Sequence, residues 1–283
     1  MLLFSDKVFL RKLISLLFSF ALMIGIILIC TAILSRVTIL SPSYLTAQME
    51  RSGYLVSVEE KIESDFISYG MSSGFDEEFF QNSGIYENIK EDVHSEIGKM
   101  FAPLASGPDY AQLHDDLYNK LVSHIEQQEV QITEEIDEAV KYLVELFQTA
   151  YAKEISFPLA GILGGLIESA RMIMVVFIIL GIALIIMPIV VIAKLNPGSR
   201  GKSTFPYWFY PLSGAALFFA FLSALISISG MIERIVILDK GFYTFVTMYA
   251  NGILELMMLF AAILGLIAAV LSINYRRKLR ADV

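Results

Sequence analysis

Residues 13–34 read LISLLFSFALMIGIILICTAIL, a stretch of 22 residues without a charge. An α-helix rises about 1.5 Å per residue, so about 20 residues cross a hydrocarbon layer about 30 Å thick. Residues 172–193 and 203–232 have the same character, and residues 241–275 contain a single charge, Glu255. The sequence therefore predicts four transmembrane helices.

The charge divides the chain into two parts. Residues 36–170 hold 24 acidic and 8 basic side chains, whereas the remaining residues hold 5 acidic and 13 basic ones. The chain is 56% apolar and 18% charged, against about 45–50% and about 25% in soluble domains. An acidic polar domain is thus expected between the first and second helices of a basic membrane part.

Basic residues are concentrated in three short segments that flank the predicted helices. Lys7, Arg11 and Lys12 precede the first helix, Lys194, Arg200 and Lys202 separate the second from the third, and Arg276, Arg277, Lys278 and Arg280 follow the fourth. Short loops rich in Lys and Arg stay in the cytoplasm. Both termini are therefore predicted on the cytoplasmic side of the plasma membrane, and residues 36–170 on the outer side.

The fold class is then an all-α membrane protein with four transmembrane helices and an extracytoplasmic helical bundle inserted between the first two. The 22 apolar residues of the first helix exceed the 7–15 of a signal peptide, so we expect it to remain uncleaved. The predicted order is a cytoplasmic N-terminus at 1–12, a first transmembrane helix at 13–35, the acidic domain at 36–170, a second helix at 171–194, a cytoplasmic loop at 195–206, a third helix at 207–232, an apolar outer loop at 233–251, a fourth helix at 252–275 and a basic cytoplasmic tail at 276–283.

The acidic domain has the periodicity of helices. Its clearest run places Ile136, Val140, Leu143, Phe147 and Ala150 at spacings of three and four, which is one face of a helix. Similar runs predict about four amphipathic helices packed as a bundle, with Phe147 in its core.

Acidic pairs in this domain have two interpretations, solvated helix faces or a surface for a cationic ligand such as a basic peptide or calcium. No calcium-loop spacing occurs. His94, His114 and His124 lack the i, i+4 spacing of a helical metal site, so no metal is expected.

Cys30 is the only cysteine, so no intrachain disulfide forms. That lack and the absence of a glycosylation sequon favour a bacterial protein.

Ionisable groups near the predicted membrane are the candidate polar sites, because a charge in lipid is costly. Glu168, Arg171, Glu233 and Arg234 lie at the predicted outer interface, where they could pair or extend to water. Glu255 is predicted to lie deepest, about one turn into the fourth helix. We expect it to face protein or water, paired with Arg171 or Arg234 or lining a polar cavity.

Several residues are candidates for hinges or close helix packing. Gly161 and Gly165 are four apart before the second helix, Pro188 predicts a kink within it, and Gly265 lies among small residues of the fourth. The apolar loop at 235–250 has three interpretations: it lies on the membrane surface, it packs under the acidic domain, or it re-enters the membrane.

Enzyme signatures such as a phosphate-binding loop, a nucleophile elbow or a metalloprotease motif are absent from the sequence. We therefore expect a non-enzymatic protein without cofactors, and its acidic domain argues against nucleic acid as a partner. The leading hypothesis is a membrane protein whose outer domain binds a ligand or partner, as a sensor, accessory subunit or envelope scaffold. It would act on another membrane protein or on a second copy of itself. The alternative is an oligomeric channel or transporter component.

Overall fold

All regular secondary structure in the computed structural model is helical. The structure describes residues 2–82, 84–86, 88–102, 107–158, 160–196, 205–237 and 239–281. Helices account for 86% of these residues, and no strand occurs among them. The helices are α1 (Leu2–Val37), α2 (Pro42–Ser52), α3 (Tyr54–Ser72), α4 (Glu77–Asn82), α5 (Ile89–Phe101), α6 (Tyr110–Gln127), α7 (Glu134–Ile155), α8 (Ala160–Leu195), α9 (Phe205–Ser229) and α10 (Lys240–Ala281).

The helices group into two compact units. The apolar unit comprises Met1–Ser41, Ser169–Val236 and Val246–Val283. The acidic domain comprises Pro42–Glu168 together with Ile237–Phe245, which returns to it from much later in the chain. The sequence predicted the first of these segments as part of the domain but not the second.

In the part of the chain that the structure describes, four helices are long and apolar enough to cross a membrane, as the sequence predicts. Their apolar stretches are Val8–Val37, Leu163–Leu195, Phe205–Ser229 and Lys240–Arg277. They indicate a multi-pass membrane protein. Three of these helices begin well before their predicted transmembrane segments, since α1 starts at Leu2, α8 at Ala160 and α10 at Lys240. Residues 240–251, expected as loop, are helical because Asp239 caps α10 and no breaker interrupts the turns that follow.

The core of the apolar unit lies along α9 and α10, where small side chains alternate with large ones. The hydroxyl of Ser223 donates a buried hydrogen bond of 3.0 Å to the carbonyl of Leu254. Small residues let membrane helices approach closely, and such hydrogen bonds join them. The buried side chains of this seam are Ala215, Ala216 and Phe219 of α9 and Leu254, Met257, Ala261 and Leu264 of α10.

Close helix approach occurs at glycines other than those predicted. A Cβ on Gly25 of α1 would lie 3.0 Å from the carbonyl oxygen of Gly181 in α8. A Cβ on Gly165 or Gly265 would meet no atom within 4 Å among the described residues, so neither glycine is required for packing there. Gly161 belongs to α8, but its surroundings lie outside the described part. Helix α8 continues through the buried Pro188.

The acidic domain is built from shorter helices around an aromatic core. Its described part contains six helices, α2 to α7, in addition to the first residues of α8 and α10, rather than about four. Phe147 of α7 is fully buried, as its helix face predicts, and its ring stacks on Phe66 of α3 at 4.4 Å. Asp109 caps α6 by accepting from the backbone N–H groups of Ala111 and Gln112. Local capping and a common apolar face therefore define this bundle.

Candidate functional site

An aromatic cluster holds the start of α10 within the acidic domain. Phe242 and Phe245 are three residues apart and so share one face of α10. Tyr54 of α3 lies 5.9 Å and 5.7 Å from their ring centres, and Phe157, which follows α7, lies 5.6 Å and 5.8 Å from them. We call Tyr54, Phe157, Phe242 and Phe245 the aromatic clasp. Tyr54, Phe157 and Phe245 are each buried, so the clasp is a small apolar core of its own.

An ion pair lies beside the aromatic clasp. Asp239 Oδ1 accepts a hydrogen bond of 2.7 Å from the backbone N–H of Phe242, which caps α10, and Oδ2 pairs with the ammonium of Lys61 on α3. The Lys61 hydrogen bond, with the backbone donors of Phe242 and Gly241, lowers the pKa of Asp239 below its ordinary value. Burial, together with the charges of Asp239 and Glu154, raises the pKa of Tyr54 to about 12, so its hydroxyl stays neutral.

Gly241 permits α10 to approach α3 at this point. A Cβ on Gly241 would lie 2.5 Å from the hydroxyl oxygen and 2.7 Å from the Cβ of Ser57, distances that force a shift. Any larger residue would therefore push the first turn of α10 away from α3. The clasp, the ion pair and this close approach fix the start of α10 together.

Two helices belong to both units of the chain. Helix α8 contributes Ala160–Glu168 to the acidic domain and continues to Leu195 in the apolar unit, and α10 contributes Lys240–Phe245 and continues to Ala281. Each is one helix by its bounds, although Pro188 within α8 leaves the carbonyl of Leu184 without its intrahelical donor.

The acidic domain also contains an acidic cleft of about 420 Å³. Its lining includes Glu91 and Asp92 of α5, Asp109 before α6, and Asp116 and Lys120 of α6. Four carboxylates face one ammonium, so the cleft favours a cation. Leu117 and Tyr151, both buried, contribute apolar surface to its lining.

Two of the four carboxylates already have internal partners. The hydroxyl of Tyr151 donates to Asp92, and Asp109 caps α6. Burial and that hydrogen bond raise the pKa of Tyr151, which keeps the phenol protonated as a donor. Glu91 and Asp116 are exposed, so they supply the charge that a ligand in the cleft would meet.

The described residues contain no group of three or more His, Cys, Asp or Glu side chains arranged for a metal ion. The three histidines lie apart, each with its own neighbour. His94 faces Glu50 at 3.6 Å, His114 faces Asp115 at 3.4 Å, and His124 packs against the ring of Phe79.

Glu255 does not face the interior of the apolar unit in the single chain, and its expected contact with water or with another protein stays a prediction. Helix α10 turns Leu254 and Met257 inward and leaves Glu255 exposed, and within the described residues Glu255 makes no ion pair with Arg171 or Arg234. Because α10 starts at Lys240, Glu255 lies well along the helix and 21 residues before Arg276. That interval spans about 31 Å, close to the thickness of a hydrocarbon core.

The other four predicted interface residues, Glu168, Arg171, Glu233 and Arg234, are all exposed. The structure gathers none of them into the acidic cleft or the aromatic clasp. The sequence does not predict the clasp, because Tyr54 and Phe157 are distant in sequence from Phe242 and Phe245. The two phenylalanines are visible only as apolar residues of the segment 235–250, which was expected to be a loop. Of the three interpretations of that loop, packing against the acidic domain is the one that the ring contacts support.

Comparisons with protein-family models, curated proteins and solved structures find no match to this chain. Function is therefore inferred from the geometry of the two units alone.

Proposed function

We propose that this protein is a non-enzymatic, multi-pass plasma-membrane protein whose acidic domain binds a cationic ligand or partner and relays that binding through its membrane helices. The observation that carries the proposal is α10, which the aromatic clasp holds within the acidic domain and which continues unbroken into the apolar unit. The roles of a sensor, an accessory subunit of a transporter and an envelope scaffold are all compatible with this arrangement.

Helix continuity gives the relay a physical basis. With 42 residues, α10 is about 63 Å long, twice the hydrocarbon thickness. A movement of α3 at Tyr54 or Lys61 acts directly on the first turn of α10, and a helix resists bending over that length. Basic residues at the ends of α1, α8 and α10 support an acidic domain outside the cytoplasm with both termini inside. The signal would then reach another membrane protein through helix contacts.

The acidic cleft is the proposed ligand site within the acidic domain. Glu91 and Asp116 are exposed at its edge, while Asp92 and Asp109 are held by internal hydrogen bonds. Carboxylates that are fixed before binding lose little conformational entropy when a cation arrives. A polyamine or a short basic peptide has the charge that the cleft complements.

Titration of spermidine into the full chain in lipid nanodiscs tests the site. We expect saturable binding that weakens by tenfold or more in the Glu91→Gln/Asp116→Asn double variant. The matched control is Glu134→Gln/Glu135→Gln, which removes the same charge from the first turn of α7, outside the cleft. Equal loss in both double variants would mean nonspecific attraction to an acidic surface and would contradict the proposal.

An oligomeric channel or transporter component is the second candidate, and the exposure of Glu255 favours it. A carboxylate on the outward face of α10 could line the mouth of a path between several copies. Cation flux into liposomes that falls in Glu255→Gln, with unchanged reconstitution, would support this function. Flux that is absent or unaffected by the substitution would argue against it.

A further inference from the structure

A proline in α9 leaves a backbone carbonyl without its helical partner, and α1 supplies one. Pro211 has no N–H, so the carbonyl of Tyr207, four residues earlier, cannot receive its intrahelical hydrogen bond. The hydroxyl of Ser19, which is 3% exposed, donates to that carbonyl at 3.2 Å. Unpaired backbone groups are costly in lipid, so this bond fixes α1 against α9 at one defined turn.

An apolar groove of about 360 Å³ lies between the two helices at this turn. Leu16, Leu17, Phe20 and Met23 of α1 and Tyr210 and Pro211 of α9 line it. The Ser19 hydroxyl is occupied by Tyr207, so the groove offers almost only carbon atoms. Its rim is bulky, since Leu16, Leu17 and Phe20 are all more than half exposed.

A cation stands at the N-terminal end of this groove. Lys12 lies four residues before Leu16, on the same face of α1, and side chains on a helix lean towards its N-terminus. Its ammonium therefore extends beyond the end of the groove. Arg11 faces away from the groove, since its guanidinium donates to the amide oxygen of Asn196 at the end of α8 at 3.0 Å.

Aromatic residues place this end of the groove at the membrane surface. Tyr207, Trp208 and Tyr210 lie at the start of α9, and Trp and Tyr concentrate at the level of lipid headgroups. An acyl chain in the groove would thus begin at the depth where acyl chains begin, with Lys12 at the depth of the phosphate.

We propose that this groove is a binding site for an anionic phospholipid, with one acyl chain between α1 and α9 and the phosphate at Lys12. A flexible chain fits between bulky side chains. A partner helix does not, because close helix packing needs small residues on the contacting face. The positive charge of Lys12 favours an anionic headgroup over a zwitterionic one. This site does not depend on the ligand of the acidic domain.

Native mass spectrometry of the full chain, purified in mild detergent and offered equal amounts of dioleoylphosphatidylglycerol and dioleoylphosphatidylcholine, tests the site. We expect the wild type to retain phosphatidylglycerol preferentially. Lys12→Gln should lower that preference by about fivefold, the effect of one basic residue near a lipid surface. Lys194→Gln is the matched control, since it removes a charge at the end of α8 without touching the groove.

The groove itself is tested by Leu17→Trp, which fills it, against Leu217→Trp, an equally exposed site on α9 outside the lining. Only Leu17→Trp should abolish the retained lipid, with circular dichroism checking helix content. If that variant fails to fold, the comparison of Lys12→Gln with Lys194→Gln still decides. Equal retention of both lipids by the wild type, equal losses in the two lysine variants, or a wild-type dimer that Leu17→Trp dissociates would each overturn the proposal.

Discussion

Lys61 and Asp239 are 178 positions apart in the sequence and form an ion pair that joins α3 to the start of α10. The same carboxylate caps α10 through the backbone N–H of Phe242. One residue therefore determines both where the last helix begins and where that beginning lies in the acidic domain. The ring contacts of Phe242 and Phe245 continue the attachment on the next turn.

Replacing Asp239 by Asn should destabilise the acidic domain in a pH-dependent way. Hydrogen bonds from Lys61 and from the Phe242 backbone lower the pKa of Asp239 below 3.8, so its stabilisation is present above that pH and is lost as pH falls through the lowered value. At pH 7 we expect a cost of about 0.5–1 kcal/mol, because both partners are partly exposed. Melting of the full chain in detergent, compared at pH 7 and pH 3, measures it. A wild-type advantage that persists undiminished at pH 3 would contradict the ion-pair account.

Gly241→Val should separate the first turn of α10 from α3. The new Cβ would clash with Ser57, whereas the matched control Gly165→Val places the same side chain on a helical glycine with no atom within 4 Å. In hydrogen exchange we expect the backbone amides of residues 243–247 to exchange at least tenfold faster in Gly241→Val, while the control leaves them unchanged. Equal rates in both variants would mean that the close approach does not hold α10.

The same pair of variants tests the relay. In a Cys30→Ser background, an environment-sensitive fluorophore on Ile273→Cys reports from the exposed surface of α10 near its basic end. Spermidine should change its emission in the wild type and in Gly165→Val, but not in Gly241→Val, although all three bind the ligand. If the wild type binds spermidine without any change in emission, the ligand site would stand and the proposed relay through α10 would be contradicted.

The sequence predicts the four apolar helices and the helical character of the acidic domain because both depend on local composition and periodicity. Residues 13–34 need no partner to be identified as a membrane helix, and the face containing Phe147 is visible in one segment. The aromatic clasp could not be predicted, because Tyr54 and Phe157 give no local sign that Phe242 and Phe245 pack on them. The orientation of Glu255 could not be predicted for a related reason, because it depends on which face of α10 packs against α9.

Phe147→Ala should be the most damaging single truncation in the acidic domain. Phe147 is fully buried and stacks on Phe66, and its ring also meets Phe80 edge to face at 5.6 Å. A buried Phe→Ala change costs about 3–5 kcal/mol. Tyr142→Ala, an exposed aromatic on the same helix, is the control and should cost less than about 1 kcal/mol. Thermal unfolding followed by circular dichroism measures both, and equal melting temperatures would show that the assigned face of α7 is wrong.

Ser19 and Pro211 should be energetically coupled even though their side chains need not touch. Ser19→Ala removes the hydroxyl that donates to the Tyr207 carbonyl, and we expect it to cost about 0.6 kcal/mol, the average for hydrogen bonds between membrane helices, and at most about 1.7 kcal/mol. In a Pro211→Ala background the N–H of residue 211 can return to that carbonyl, so Ser19→Ala should then cost much less. Ser213→Ala is a suitable control, because its hydroxyl donates to Phe209 within α9 and its effect should be the same in both backgrounds. Unfolding of the wild type, Ser19→Ala, Pro211→Ala and the double variant in mixed detergent gives the coupling free energy. A Ser19→Ala cost that is unchanged by Pro211→Ala would show that the hydroxyl serves packing rather than the carbonyl that the proline exposes.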